Sequence, residues 1–545
     1  MTPANPRRRF LGCLAVLSLA AAQPRRVIAA PRFAHDPFWL GVASGYPWPN
    51  GVVLWTRVRA VGEALGRAAI PVRWEVGADE TMRTIVAAGT ALASAEWAHS
   101  VHVEVNGLAP DRWYWYRFTA GGERSPIGRT RTAPVPGAPV DRLRFAFASC
   151  QHYEQGYFGA YRHIVADDPD LIAFLGDYIY ESHWGRHLVR SHGAPEPYTL
   201  AEYRARYALY KSDPDLQAAH AACPWIVTWD DHEVDNDYAG DRAADDLEPA
   251  RFVARRAAAY RAYYEHMPLP ARMRPHGAHM RLYTQLGWGA LARFFVLDDR
   301  QYRSPEACPR RGRHGGSNTV DVARCVALAD PARSVLGAEQ ERWLERSLTR
   351  SRARWNVLAQ QTRMAQLDQL PGPGRRAWTD GWDGYPAARR RLLATLAARY
   401  IANPVVIGGD VHQFNVADLK LDFDDPGSPV IASEFVGTSI TSQGWSQPRL
   451  ERLLADNPHL KLLESRYRGY TRVTLTPRRL LADLRAMQTV ARRDGACRTL
   501  ASFEVEDGRP GPRRVSKAGL PFDPSQEQSG LRDASWPVRR SAFIA

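Results

Sequence analysis

Residues 171–181 read LIAFLGDYIYE, an apolar run of strand length that is followed directly by Gly176 and Asp177. The same arrangement, an apolar run that ends at side chains able to bind metals, recurs along the chain. The other stretches are RFAFASC at 144–150, WIVTWDDHEVDND at 225–237 and VVIGGDVH at 405–412. In open α/β folds the carboxyl ends of the strands line the ligand-binding crevice. We therefore expect these loops to converge on one rim and to form a single site.

The sequence around these stretches alternates between short apolar runs and longer helical patterns. Such alternation is typical of an α/β core in which helices flank a layered sheet. Further strands are predicted at 294–297, 355–359, 470–475 and 480–485. Helices are predicted at 157–165, 200–210, 249–264, 337–347 and 387–402.

The N-terminal part of the chain has a different texture. Between residues 38 and 131, short alternating runs are separated by turn residues, a pattern that predicts a small all-β sandwich. From these changes we assign an export segment at 1–30, a β-sandwich domain at 36–133, an α/β core domain at 142–510 and a C-terminal tail at 511–545.

The composition is that of an ordinary globular protein. The 545 residues are 45% hydrophobic and 24% charged, which excludes a disordered, fibrous or polytopic membrane protein. The formal net charge is +14, and the excess is nearly all Arg, spread from end to end. An evenly basic surface attracts phosphate-bearing substrates and gives no indication of specific nucleic-acid recognition. We expect a monomer.

The first residues carry an export pattern. RRRFL at 7–11 precedes an apolar stretch at 12–22, which is typical of a twin-arginine signal. A membrane anchor is the alternative, but a span needs about 20 apolar residues and this stretch is shorter. We therefore expect a periplasmic or secreted protein, exported already folded by the twin-arginine machinery, whose cleavage site the sequence leaves open. Export in the folded state favours a metalloprotein.

The cysteines do not form a known redox or zinc motif. Cys308 and Cys325 flank a polar, glycine-rich stretch, and in an oxidising compartment a disulfide or two separate thiols both fit the sequence. No pair of cysteines has CxxC spacing, so thioredoxin chemistry and zinc-ribbon sites are not supported.

The side chains at the strand ends suit two metal ions. Phenolate and thiolate are strong charge donors that favour a trivalent, iron-like ion. We therefore predict a first site formed by Cys150, Asp177, Tyr180 and His412. Each of these residues taken singly is more typical of a turn, a helix cap or a buried thiol. Their recurrence at successive strand ends is what indicates a metal centre.

The second predicted site contains only oxygen ligands. It combines Asp231 and Asp410 with Asp177, which the two sites share. Hard carboxylates select hard cations such as Ca²⁺, Mg²⁺ or Mn²⁺. Asp230 and Asn236 are reserve ligands on the same loop as Asp231.

With these motifs the chain resembles the alkaline phosphatase D (PhoD) family of the calcineurin-like metallophosphatase superfamily. Further matching stretches are FWLGVASG at 38–45, GVVLWTR at 51–57, LDDRQYR at 297–303, WNVLAQQ at 355–361, WDGY at 382–385 and EFVGTS at 434–439. Cys150 and Asp410 match the family's variant of the superfamily pattern, whereas Asp299 stands where the family usually has Thr. The resemblance implies an α/β metallophosphatase core, a β-sandwich flanked by helices, with a small N-terminal all-β sandwich domain. It also implies twin-arginine export and Fe³⁺ with Ca²⁺ at the site.

These features together predict an exported phosphatase and phosphodiesterase that hydrolyses phosphate esters. Two cations polarise the phosphoryl oxygens and lower the pKa of a bound water, so that a metal-bound hydroxide attacks phosphorus. A phospholipase D-type activity on phospholipids is the enzymatic alternative. A non-catalytic module that binds cell wall or matrix is the alternative from a different class.

Two residues outside the ligand sets receive a predicted role. His232 occupies the position at which the superfamily has a His that contacts phosphate or protonates the leaving group. The alternative is a structural histidine that holds the loop. Arg300 is predicted to clamp the phosphate, because guanidinium offers a bidentate fork, or else to be a buried salt-bridge partner.

Overall fold

The computed structural model describes residues 32–60, 67, 69–244, 248–310, 317–516 and 522. The predicted export segment at 1–30 lies outside the described residues, as does most of the predicted tail. Within the described ranges, no helix has the length and apolar character needed to cross a membrane.

The strands and helices have the following bounds. The strands are β1 (Val42–Trp48), β2 (Gly51–Arg57), β3 (Ile70–Gly77), β4 (Ile85–Ala93), β5 (Ser100–Asn106), β6 (Trp113–Ala120), β7 (Glu123–Arg124), β8 (Gly128–Arg131), β9 (Leu143–Ala148), β10 (Leu171–Leu175), β11 (Trp225–Thr228), β12 (Thr284–Trp288), β13 (Ala292–Val296), β14 (Thr319–Asp321), β15 (Trp355–Ala359), β16 (Arg376–Trp378), β17 (Pro404–Gly408), β18 (Phe414–Lys420), β19 (Val430–Val436), β20 (Leu460–Glu464), β21 (Gly469–Leu475), β22 (Arg479–Met487), β23 (Cys497–Glu506) and β24 (Arg509–Arg514). The α-helices are α1 (Ala160–Ala166), α2 (Leu200–Lys211), α3 (Pro214–Ala222), α4 (Pro249–His266), α5 (Gly337–Thr349), α6 (Pro386–Ala398) and α7 (Gln447–Leu454).

Two large sheets form the core. One has ten strands in the order β24-β23-β22-β21-β9-β10-β11-β1-β2-β5, and the other has seven in the order β12-β13-β15-β17-β19-β18-β20. Neighbouring strands β9, β10 and β11 run parallel, as do β13, β15, β17 and β19. The sheets pack face to face, and the rings of Phe145 and Phe294 meet between them at a centroid distance of 5.2 Å.

Helices cover the outer faces of both sheets. Successive side chains of a strand point to opposite faces, so Phe294 joins the core between the sheets while Phe295 joins a second core beneath α5 and α6. On the other side of the molecule, Tyr161 of α1 packs against Trp225 of the ten-stranded sheet. Tyr260 of α4 packs against Trp229, which lies in the loop after β11. This explains why the central strands read as continuous apolar runs.

The N-terminal strands form a sandwich that shares a sheet with the core. Strands β3, β4, β6, β7 and β8 make a separate sheet, which packs on β1, β2 and β5 through a core that includes Val52, Val103 and Tyr116. Strand β1 pairs in parallel with β11 at Gly45 and Trp225. The predicted fold class, a helix-flanked β-sandwich core with an N-terminal all-β domain, is confirmed. The ten-stranded sheet continues across the boundary that we assigned from the sequence between these two domains.

Two further sequence predictions gain detail from the structure. Cys308 and Cys325 form a disulfide across a separation of 17 residues, which decides between the alternatives that the sequence left open. Strand β24 spans the boundary between the predicted core and tail and pairs with β23. The start of the predicted tail is therefore part of the ten-stranded sheet.

Close backbone approach at the strand ends requires glycine. Gly176 has a φ of 103°, and a Cβ atom there would lie 2.5 Å from the Cβ of Asp230 and 2.7 Å from its backbone nitrogen. A Cβ atom on Gly409 would lie 2.3 Å from the Ser149 Oγ. Since such distances are far below van der Waals contact, these glycines allow neighbouring strand ends to come together.

We predict that Gly176→Ala destabilises the protein more than Gly122→Ala does. Both glycines have positive φ, but a Cβ atom on Gly122 would have no neighbour within 4 Å among the described residues. The left-handed backbone costs both variants about 1 to 2 kcal/mol, and steric overlap costs Gly176→Ala about 1 to 3 kcal/mol more. Chemical unfolding measures both free energies, and equal losses in the two variants would contradict the close-approach explanation.

Candidate active site

Most of the predicted ligands lie just beyond the carboxyl end of a parallel strand. Cys150 follows β9, Asp177 follows β10, and Asp231 follows β11, whereas Asp410 and His412 follow β17 of the facing sheet. The site thus forms where the rims of two sheets meet. Apart from Asp231, these residues have left-handed backbones, with φ values of 54° to 65°. Such strained conformations persist where the surrounding structure fixes them, and they are typical of functional sites.

The four residues predicted for the first metal ion come together. Cys150, Asp177 and His412 each place one ligand atom within 4.8 Å of the others. The Tyr180 hydroxyl donates a hydrogen bond of 2.8 Å to Asp177 Oδ2 and lies 3.1 Å from His412 Nε2. His412 Nδ1 donates to the Gln443 carbonyl at 2.8 Å. That hydrogen bond fixes the tautomer and leaves Nε2 with the lone pair that a metal requires.

Of the residues predicted for the second ion, Asp177 and Asp231 belong to one group of possible ligands, whereas Asp410 is not part of that group. Asp177, Asp231 and His232 form another group whose ligand atoms lie within 4.8 Å of one another. Asp231 Oδ2 accepts a 2.6 Å hydrogen bond from the Asp237 backbone, which fixes the carboxylate plane. The Asn236 backbone nitrogen donates to Glu181 at 3.0 Å, and its predicted role as a reserve ligand stays a prediction.

The donor set fits cations because several of its carboxylates keep an oxygen that accepts no hydrogen bond from the described residues. One carboxylate oxygen on each of Asp177, Asp230, Asp231 and Asp410 is buried and accepts no hydrogen bond from any described residue. An unpartnered buried polar atom costs about 1 to 3 kcal/mol, and an ionised one costs more. A cation placed among these oxygens removes that cost, so the residues present suit the predicted metal centre.

The pKa values of several ligands are raised, because nearby positive charge does not offset their burial and the neighbouring negative charges. Burial and the neighbouring carboxylates raise the pKa of Asp410 well above its usual value, and they raise the pKa of Asp230 to about 7 despite the nearby Arg300. Burial, followed by the charge on Asp177, raises the pKa of the Cys150 thiol. Bound cations reverse these shifts because they favour the deprotonated ligands.

Arg300 is an ion-pair partner within the site. Its guanidinium is fully buried, donates through Nε to Asp230 and donates through Nη1 to Asp380 Oδ1 at 2.6 Å. Its Nη2 lies 3.4 Å from Asp231 Oδ1. Of the two roles that the sequence left open, the buried salt bridge is the one present here. A phosphate contact by Arg300 stays a prediction.

His232 is held by a carboxylate that the sequence analysis did not single out. Its Nδ1 donates to Glu181 Oε2 at 2.7 Å, and its ring lies against Tyr180 with a centroid distance of 4.1 Å. Burial lowers the pKa of His232, but the carboxylates of Glu181, Asp177 and Asp231 outweigh it and hold that pKa well above its usual value. Glu181 therefore orients His232 and favours its protonated form.

Two more supporting residues were missed. The Glu233 carboxylate accepts backbone hydrogen bonds from Asp177 at 3.1 Å, Tyr178 at 2.6 Å and Asp230 at 2.9 Å, which ties two strand-end loops together. The Ser442 Oγ lies 2.9 Å from the Cys150 carbonyl and 2.8 Å from the Tyr180 hydroxyl. Glu233 lies inside a quoted motif, so a closer accounting of backbone donors at the strand ends could have found it. No local pattern points to Ser442.

Known proteins resemble this chain along most of its length. The model of the PhoD-like phosphatase family matches residues 145–484, and the model of the PhoD-like phosphatase N-terminal domain matches residues 21–134. Alkaline phosphatase D of Bacillus subtilis (strain 168) is 45% identical over 533 residues, which cover 94% of this chain and 90% of that protein. A solved structure described as the structure of PhoD superposes with a TM-score of 0.85 at 43% identity, over 92% of this chain and 98% of that chain.

We predict that Glu181→Gln lowers kcat about 10- to 100-fold, as expected for loss of a residue that orients a functional group. The glutamine keeps the size of the side chain but removes the charge that favours protonated His232. Glu196→Gln is the matched control, because Glu196 lies on the same connection between β10 and α2 but is partly exposed and pairs with Arg255, at 2.6 Å. Steady-state kinetics should show near-parental kcat for the control. Equal losses in both variants would contradict a specific role of the contact between Glu181 and His232.

Proposed function

The chain belongs to the PhoD-like phosphatase family, and from this premise we propose that it is an exported, metal-dependent phosphatase and phosphodiesterase. The family predicted from the strand-end motifs is thereby confirmed, and with it the assignment of the chain as a phosphoric ester hydrolase. The observation that carries the mechanism is the group of buried carboxylate oxygens that accept no hydrogen bond from the described residues, beside Cys150 and His412. A module that only binds cell wall or matrix does not need these buried carboxylates, whose burial destabilises the fold.

We assign Fe³⁺ to Cys150, Asp177, Tyr180 and His412, because their thiolate and phenolate donors favour a trivalent ion. Ca²⁺ is assigned to the all-oxygen ligands, with Mg²⁺ or Mn²⁺ as other candidates for the same site. Those ligands are Asp177, Asp231 and Asp410, with Asp230 and Asn236 in reserve. When bound, the two cations supply Lewis acidity that lowers the pKa of water and neutralises charge on the phosphoryl oxygens.

The chain's own residues supply the proton and the geometry. A ring nitrogen of His232 lies within 4.8 Å of carboxylate oxygens of Asp177 and Asp231. The protonated ring can give its proton to the departing alkoxide. Glu181 keeps the imidazole ring in place through its 2.7 Å hydrogen bond. Arg300 holds Asp230 and Asp380 in fixed positions and offsets part of the negative charge of the pocket.

Export and substrate preference belong to the same proposal. The RRRFL pattern at 7–11 supports twin-arginine export to the periplasm or the medium. Phosphate monoesters and diesters are the proposed substrates, and phospholipids are the alternative class. A panel of a chromogenic monoester, a chromogenic diester and a phospholipid, assayed with the purified protein, distinguishes these classes.

We predict that chelation of the divalent ion lowers the hydrolysis of a chromogenic phosphate ester at least about 100-fold, because the cation supplies much of the charge stabilisation. Added Ca²⁺ should restore the activity, since the ligands of the second site are all oxygen. Zn²⁺ is the matched control because it prefers nitrogen and sulfur ligands. Recovery with Zn²⁺ but not with Ca²⁺ would overturn the assignment of the second site. Full activity after complete metal removal would overturn the metal dependence itself.

A further inference from the structure

Trp184 contacts two of the side chains assigned to the first metal ion. Its indole ring stacks on His412 with a centroid distance of 5.6 Å and an interplanar angle of 7°. The same indole lies 6.1 Å from the ring of Tyr180. Aromatic rings at such distances attract one another when they are offset. Trp184 is therefore placed to determine how His412 faces a metal ion.

The stacked indole restrains a movement of His412 that its hydrogen bond leaves free. His412 Nδ1 donates to the Gln443 carbonyl at 2.8 Å, but an imidazole held at one nitrogen can still tilt about that hydrogen bond. His412 is partly exposed, so burial alone does not prevent the tilt. A ring packed flat on the imidazole face blocks it and keeps Nε2 directed at the Tyr180 hydroxyl, 3.1 Å away.

Two glutamine side chains hold the backbone around Trp184. Gln155 Nε2 donates to the Trp184 carbonyl at 2.8 Å. The backbone nitrogen of Arg186 donates to Gln443 Oε1 at 3.0 Å, and Gln443 Nε2 donates in return to the Arg186 carbonyl. The backbone nitrogen of Gln443 donates to Gln155 Oε1 at 2.6 Å, which joins the two glutamines to each other. The segment that carries Trp184 is thereby fixed on both sides of the indole.

Gln443 acts on His412 by two routes. Its backbone carbonyl accepts the hydrogen bond from the imidazole, and its side chain holds the segment that presses the indole onto the same ring. The two restraints differ in direction, since the hydrogen bond lies in the plane of the imidazole and the stack acts on its face. Together they define both the tautomer and the plane of the predicted ligand.

We propose that Trp184 is a positioning residue for His412, and that the side chain of Gln443 keeps Trp184 in that place. This inference rests on the proposed assignment of His412 to the first metal ion. Groups that orient metal-ligating side chains change metal affinity about 10- to 100-fold. The contribution of Trp184 should therefore be measurable as iron affinity, before any substrate is added.

The first test is the affinity of the purified full-length protein for Fe³⁺, measured by competition with an iron chelator. Trp184→Ala should weaken iron binding about 10- to 100-fold. Trp184→Phe should recover most of that affinity, because a phenyl ring also stacks on imidazole. The indole nitrogen is not needed for this, since Trp184 Nε1 is buried and has no hydrogen-bond partner among the described residues.

Trp445→Ala is the matched control for this test. Trp445 lies two residues beyond Gln443, and its ring packs against the Arg449 guanidinium at 4.6 Å. In the part of the chain that the structure describes, its ring does not stack on His412 or Tyr180. Its loss should leave the affinity for Fe³⁺ unchanged.

The second test asks whether Gln443 acts through Trp184. Gln443→Ala removes the side-chain contacts with Arg186 but keeps the backbone carbonyl that accepts from His412. This variant should also weaken iron binding. The double variant with Trp184→Ala should bind iron no more weakly than Trp184→Ala alone, because residues that act as one unit are not additive. Fully additive losses would contradict the role given to the Gln443 side chain.

Equal iron affinity in the parent, Trp184→Ala and Gln443→Ala would overturn the proposal and leave the metal centre in place. Equal weakening in Trp184→Ala and Trp445→Ala would overturn it as well. A parent protein that binds no iron would instead overturn the assignment of the first site, and the proposal with it. Since Gln443 is partly exposed, its variant should remain folded and decide the matter even if Trp184→Ala does not fold. None of these readouts depends on ester hydrolysis.

Discussion

Negative charge confined in a buried space is the constraint on which the rest of this structure depends. Asp177, Asp230, Asp231 and Asp410 bring their carboxylates to one place from loops on two different sheets. Like charges at this depth raise one another's pKa and destabilise the fold unless cations compensate them. Arg300 provides one such cation through Asp230. The proposed metal ions would bind the carboxylate oxygens that accept no hydrogen bond from the described residues.

The loops that carry the ligands contain strained, left-handed backbone conformations, and hydrogen bonds between the loops hold them in place. Left-handed residues turn the chain just after β9, β10 and β17, and Gly176 allows the Asp177 loop to approach the Asp230 loop closely. Glu233 then joins those two loops through their backbone N–H groups. Ser442 makes a corresponding connection between the Cys150 loop and Tyr180. These hydrogen bonds restrict the loops that carry the ligands, which reduces the entropic cost of binding a metal.

Much of the fold could be predicted from the sequence because the central strands are apolar on both faces. Strand β10 begins and ends where LIAFL does. Strand β18 was missed because FNVADLK contains Asn415, Asp418 and Lys420, whose burial depends on tertiary partners such as the Lys461 ion pair with Asp418. The convergence of Cys150, Asp177, Asp231 and His412 could be predicted because these residues follow closely after strands. The contact of Glu181 with His232 could not, since it joins loops 51 residues apart. The contact between Arg300 and Asp380 could not be predicted for the same reason, since these residues are 80 positions apart.

The shared ligand is the part of this account that an experiment can test most directly. If Asp177 serves both metals, Asp177→Ala removes the negative charge that offsets the repulsion between the two cations, and both sites should lose affinity. Asp231→Ala removes a ligand of the second site alone. Elemental analysis of the purified variants should show loss of both iron and calcium from Asp177→Ala, and loss of calcium with iron retained from Asp231→Ala. Full occupancy of either metal in Asp177→Ala would contradict the bridging role and the two-metal site built on it.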